Sequence, residues 1–189
     1  MKTKFHKRFS LFLLLSLTVL SCKAVESLSL RFPAGALPEM ETDAQAVVDT
    51  LSGDNWYMLG VFAEEQYTQE ELAKPGVISY TVKIKNDKPA YFNYGWCTTT
   101  EEILKQNYEH IRVELFFDGK RLGGDVVHTL TYNTPDGMFC GDYGVLFKKL
   151  PAGTYRIESV ATFDEQINDG LSDYEAGEYF YEYNVTVEE

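Results

Sequence analysis

The stretch 163–175 concentrates the side chains best able to hold a hard cation. Asp164, Asn168, Asp169 and Asp173 offer carboxylate and amide oxygens on a short polar segment, the ligand chemistry that calcium takes. The EF-hand spacing fails, because with Gly170 at the sixth position Glu165 falls first and Ile167 third. The competing reading is a solvated turn at Asn168-Asp169-Gly170. A second group is aromatic. Tyr91, Phe92, Tyr94 and Trp96 lie close together before Cys97. Strand alternation puts Phe92, Tyr94 and Trp96 on one face and Tyr91 on the other. Exposed aromatics stack on sugar rings or grip a peptide, so Tyr94 and Trp96 are binding candidates. Their alternative place is the core.

Other chemistry finds little support. His110 and His128 are the only histidines after residue 21, and nothing local joins them to a third metal ligand. There is no Gly-x-Ser-x-Gly elbow and no Ser-x-x-Lys. Gly123-Gly124 reads as a turn rather than a phosphate loop, and no pair of acids stands out for sugar hydrolysis. No catalytic residue and no obligatory cofactor is expected, calcium being the one cofactor the sequence leaves open.

The N-terminus fixes the compartment. Lys2, Lys4, Lys7 and Arg8 precede an apolar run from Leu11 to Leu20, and small Ser21 stands before Cys22. A basic start, a short apolar run and a small residue at the cut describe a secretory signal. The run is too short to span a bilayer, which needs about 20 residues. Val19-Leu20-Ser21-Cys22 resembles the lipobox of bacterial lipoproteins, with Leu20 a tolerated departure. That resemblance implies cleavage after residue 21, diacylglycerol on the Cys22 sulfur, acylation of the new amine, and attachment to the cell membrane or outer membrane. Cys97 and Cys140 are then the remaining pair, and in an exported chain they suggest a disulfide, with two unpaired thiols as the alternative.

The whole chain has 17 basic and 29 acidic residues, a net charge of −12. Four basic residues lie in the first 21, so the mature chain carries 13 against 29, or −16. Such a surface repels nucleic acid and anionic headgroups. The expected route to the membrane is the lipid.

These residues need elements to position them. The chain divides into a signal (1–21), a lipidated cysteine with a tether (22–53) and one domain (54–189). Pro33, Gly35 and Pro38 break early structure, and Asp43 to Leu51 can form a helical turn or two with Thr42 as N-cap. Beyond Trp56 the pattern is β. Ile78, Tyr80, Val82 and Ile84 alternate with polar residues, as do Ile111 to Phe117 before the hairpin signal Asp118-Gly119. Tyr179 to Val187 gives a final strand. One helix interrupts, over 101–109, with Thr99 and Glu102 as a capping box. The prediction is an all-β, antiparallel, immunoglobulin-like sandwich of seven to eight strands with one short inserted helix. Leu150-Pro151-Ala152-Gly153-Thr154-Tyr155-Arg156-Ile157 resembles the corner of bacterial immunoglobulin-like and fibronectin-like domains, where a Gly-Thr-Tyr turn enters a core strand. That resemblance implies a fold and no function.

The expected function is lipid-anchored, non-enzymatic binding of a protein or other macromolecule at the cell envelope. The candidate surface is the edge formed by Tyr94, Trp96, the 98–109 helix and the 133–142 loop. The alternatives are a carbohydrate- or calcium-assisted ligand-binding module and a protease inhibitor-like domain.

Overall fold

The computed structural model describes residues 37–63 and 67–189. The signal, Cys22 and residues 23–36 of the expected tether lie outside the described residues. In chain order the elements are β1 (Glu39–Met40), α1 (Ala44–Leu51), β2 (Tyr57–Met58), α2 (Gln69–Leu72), β3 (Gly76–Lys85), β4 (Ala90–Thr98), α3 (Glu101–His110), β5 (Ile111–Phe117) and β6 (Lys120–Leu122). Then follow β7 (His128–Asn133), β8 (Phe139–Lys149), β9 (Gly153–Phe163), β10 (Ile167–Asn168), β11 (Asp173–Tyr174) and β12 (Gly177–Glu188).

The strands form two five-stranded sheets. One runs β1-β8-β4-β2, with β7 also paired to β8. The other runs β3-β12-β9-β5-β6, and β10 and β11 make a separate hairpin. Alternation drives the packing. Phe92 on β4 meets Tyr183 on β12 at 5.1 Å, Trp96 meets Phe163 at 5.4 Å, and Phe117 meets Phe147 at 5.5 Å, all between ring centroids. Large apolar side chains from the inner faces of both sheets therefore fill one core, as a sandwich requires. The all-β expectation agrees with this architecture.

Several particulars differ from the sequence reading. The sandwich is not wholly antiparallel. β3 pairs with β12 in parallel over its full length, and β2 pairs with β4 in parallel. β3 and β12 are far apart in sequence, so no tight hairpin imposes the antiparallel arrangement. Helix α3 is capped by Thr100 rather than Thr99: the Thr100 hydroxyl accepts from the Ile103 N–H, one residue later than the expected box. A short helix that the pattern did not show, α2, precedes β3, while α1 forms where 43–51 was expected to make a helical turn or two.

The ordered fold also begins inside the stretch read as tether. β1 adds to β8, and α1 lies on the outer face of the first sheet, where buried Val47 packs with Tyr91 and Leu146. Val47 and Leu51 are four apart, so both fall on the helix face turned to the sheet. The N-cap of α1 is Asp43, not Thr42, with its carboxylate accepting from the N–H groups of Gln45 and Ala46.

Strand β3 is an outer strand of its sheet. The Tyr67 hydroxyl meets it from the side, donating to the Ser79 carbonyl at 2.7 Å and accepting from the Ser79 N–H at 3.1 Å.

Candidate functional site

The two ends of the sandwich are unequal. At one end the connections are short turns at 86–89, 118–119 and 150–152. At the other lie α3, the 134–138 turn and the β10–β11 hairpin. Helix α3 is tied to the hairpin and to β8. The Thr99 N–H donates to the Asp169 carbonyl at 2.9 Å, and Asn107 Nδ2 to the Asn168 carbonyl at 2.9 Å. The Tyr108 hydroxyl reaches across to the Gly141 carbonyl on β8. A cleft of about 420 Å³ separates α3 from residues 165–168. At its rim His110 Nδ1 is 2.8 Å from Asp164 Oδ1, and Nε2 is 3.4 Å from Glu165 Oε1. The hydrogen bond to Asp164, with the charges of Glu165, Asp164 and Glu109, raises the His110 pKa against its desolvation.

The four candidate calcium ligands are not gathered on one point. Asp164 turns to His110. Asn168 and Asp173 bond each other at 2.7 Å. Asp169 Oδ1 accepts from the N–H groups of Leu171 and Ser172, both at 2.7 Å, and Oδ2 accepts from the Tyr174 hydroxyl. Among the described residues no three His, Cys, Asp or Glu side chains form a metal-binding group. The Asn168, Asp169 and Asp173 oxygens close the hairpin, leaving Leu171 at its tip 73% exposed.

Tyr94 and Trp96 do not line a surface. Both are 7% exposed and point between the sheets, Tyr94 against Tyr181 and Trp96 against Phe163 and Tyr174. The alternation that grouped them with Phe92 sends all three inward, so they support the end of the sandwich from below. The disulfide between Cys97 and Cys140 is present. The two residues lie directly opposite each other on the antiparallel pair β4–β8, with Cα atoms 4.1 Å apart. It staples neighbouring strands, whereas the sequence put Cys140 in a loop.

The outward face of the same strands carries a cluster that the motifs missed. Tyr91, Asn93, Gly95 and Cys97 of β4 point outward, opposite Leu146, Gly144, Asp142 and Cys140 of β8. Beside them on β7 stand His128, Leu130 and Tyr132. Asp142 is 3% exposed, and burial raises its pKa to about 6 against the help of Asn93 and Tyr132. No cation lies within ion-pair distance of it among the described residues. Its Oδ1 receives the Tyr132 hydroxyl at 3.5 Å, a long bond. The buried Tyr91 hydroxyl has no hydrogen-bond partner among the described residues. Two glycines make the room: a methyl at Gly95 would come 2.7 Å from Asp142 Oδ1, and one at Gly144 would collide with the Tyr91 hydroxyl. The available signal was an aspartate between glycines in an otherwise strand-like run, since strands are poor in Asp.

No protein family and no curated protein matches the chain. Among solved structures, a cysteine protease inhibitor from Entamoeba histolytica is similar over 69% of this chain and 95% of its own, at 9% identity and a TM-score of 0.29. A likeness that slight bears on neither fold nor function.

Proposed function

We propose that the chain is an exported, lipid-anchored β-sandwich without enzymatic activity that binds a partner protein at the cell envelope through the α3 end. The observation that carries this reading is the exposed Leu171 on a hairpin tip held by Asp169. An apolar side chain presented on a backbone already fixed loses little freedom on binding. Long connections at one end of a rigid sandwich are where such scaffolds place recognition. Val19-Leu20-Ser21-Cys22 supports the anchor, and residues ahead of β1 supply the tether.

The same proposal includes an immunoglobulin-like topology. Strand order β2-β4-β8-β7 in one sheet and β5-β9-β12 in the other parallels the ABED and CFG sheets of that fold. The Tyr155 hydroxyl donates to the Pro151 carbonyl four residues upstream at 2.8 Å, a bond of the tyrosine-corner kind.

A photo-crosslinking residue at position 171 tests the binding end in cells producing the full chain. It is expected to trap a discrete adduct that the same residue at Lys120, exposed elsewhere, does not. Equal labelling at both positions would remove the α3 end from consideration. Loss of palmitate incorporation in Cys22→Ala tests the anchor separately.

A further inference from the structure

The outward cluster on β4, β7 and β8 lies on the outer face of the first sheet, beside the α3 end but away from Leu171 at the hairpin tip. Asp142 is a buried carboxylate with no cation in ion-pair distance among the described residues, and burying a charge unpaired is costly. The adjoining Tyr91 hydroxyl is also buried and unsatisfied, although buried polar groups are nearly always bonded. The two groups lie on one face of the sheet, Asp142 over Gly95 and the Tyr91 hydroxyl over Gly144, in room that only a missing Cβ leaves. The Asn93 side chain already hydrogen-bonds the Asp142 carboxylate, its Nδ2 lying 3.3 Å from where a methyl at Gly95 would be, so Asn93 holds one side of the carboxylate without neutralising it. The cover is Tyr132, which is 43% exposed and belongs to the outer strand β7. Its 3.5 Å bond to Asp142 is weak enough to be exchanged for a better donor.

We propose that Asp142, uncovered by rotation of Tyr132, receives a basic side chain from a partner protein, with Asn93 and the Tyr91 hydroxyl completing its coordination. A donor with several N–H groups and a positive charge answers both needs at once. Asp142 neutralises the charge, and the Tyr91 oxygen accepts a hydrogen bond. Charge-assisted bonds of this kind are the stronger class. The net charge of −12 favours approach of such a group. Tyr132 stands in for it in the free protein, its hydroxyl occupying one donor position.

Amide NMR of the full chain in detergent, titrated with N-acetyl-lysinamide, N-acetyl-argininamide and neutral N-acetyl-norleucinamide, tests the site. Saturable shifts at Gly95 and Gly144 are expected with at least one cationic probe and not with the neutral one. The cation that shifts them identifies the partner group as ammonium or guanidinium. Asp142→Asn should weaken binding at least tenfold. Tyr91→Phe, which keeps the ring and removes only the unsatisfied hydroxyl, should weaken it severalfold. Leu171→Ala should leave it unchanged. Equal shifts with the neutral probe, or undiminished binding by Asp142→Asn, would overturn the proposal. Loss of binding in Leu171→Ala would overturn the separation of the two sites.

Discussion

Asp142 works against the stability of the fold that holds it. Its carboxyl titrates at about 6 in the folded chain against 3.8 ordinarily. Between those two values the folded state binds the proton and the unfolded state releases it. Stability therefore falls as pH rises through that window, and the deficit is complete above it. Asp142→Asn is expected to raise unfolding stability by about 3 kcal/mol at pH 7.5 and by almost nothing below pH 3.5. Urea melts at the two pH values measure this. A variant no more stable at pH 7.5 would mean that the charge is solvated. Retaining a destabilising group is the usual mark of a functional position. The sequence did not reveal it, because Gly141-Asp142-Tyr143-Gly144 contains no recognised motif. Its neighbours Tyr91, Asn93 and Tyr132 come from other strands and meet only when register brings them together.

At the scale of elements, the β4–β8 ladder is pinned at its end by Cys97–Cys140, 43 residues apart in sequence. Removing the crosslink frees the unfolded chain more than the folded one. Cys97→Ala/Cys140→Ala is expected to lose about 4 kcal/mol, read as a lower urea midpoint. Helix α3 is fastened differently. Its last residue, His110, faces Asp164 and Glu165. The raised pKa means that the stabilising charge pair is fully present below pH 6.5 and lost as pH rises through the higher folded value. The Asp164 N–H donates to the His110 carbonyl. Its exchange protection, corrected for intrinsic rate, should fall across that rise, and His110→Gln should flatten the profile. Elements of this length were unevenly legible. β3, β5 and β12 alternate cleanly, so periodicity found them. Helix α1 has only eight residues and two anchoring side chains. Its place on the sheet depends on Tyr91 and Leu146, which pattern alone cannot connect to it. The inward turn of Tyr94 and Trp96 was legible as an alternation, but which face was wet was not. That depends on the opposing sheet.

For the molecule as a whole, composition was the most transferable guide. Aromatic richness matched a core built from ring contacts between sheets. The two-sheet architecture followed from strand spacing, whereas the parallel β3–β12 pair did not, because partners about 100 residues apart leave no local trace. That pair leaves β3 outermost, and the Tyr67 hydroxyl occupies both backbone groups of Ser79 on its open side. Tyr67→Phe keeps the ring against Tyr80, 5.1 Å away, and releases only those groups. Sedimentation velocity at high concentration should then show more self-association than the parent chain; an unchanged profile would mean that the edge is guarded elsewhere. The stake is largest for copies confined to a plane. Held by lipid, as proposed, they would meet at a density far above that in free solution. A single phenol oxygen on the outermost strand then helps decide whether neighbours slide past or begin to zip into a ribbon.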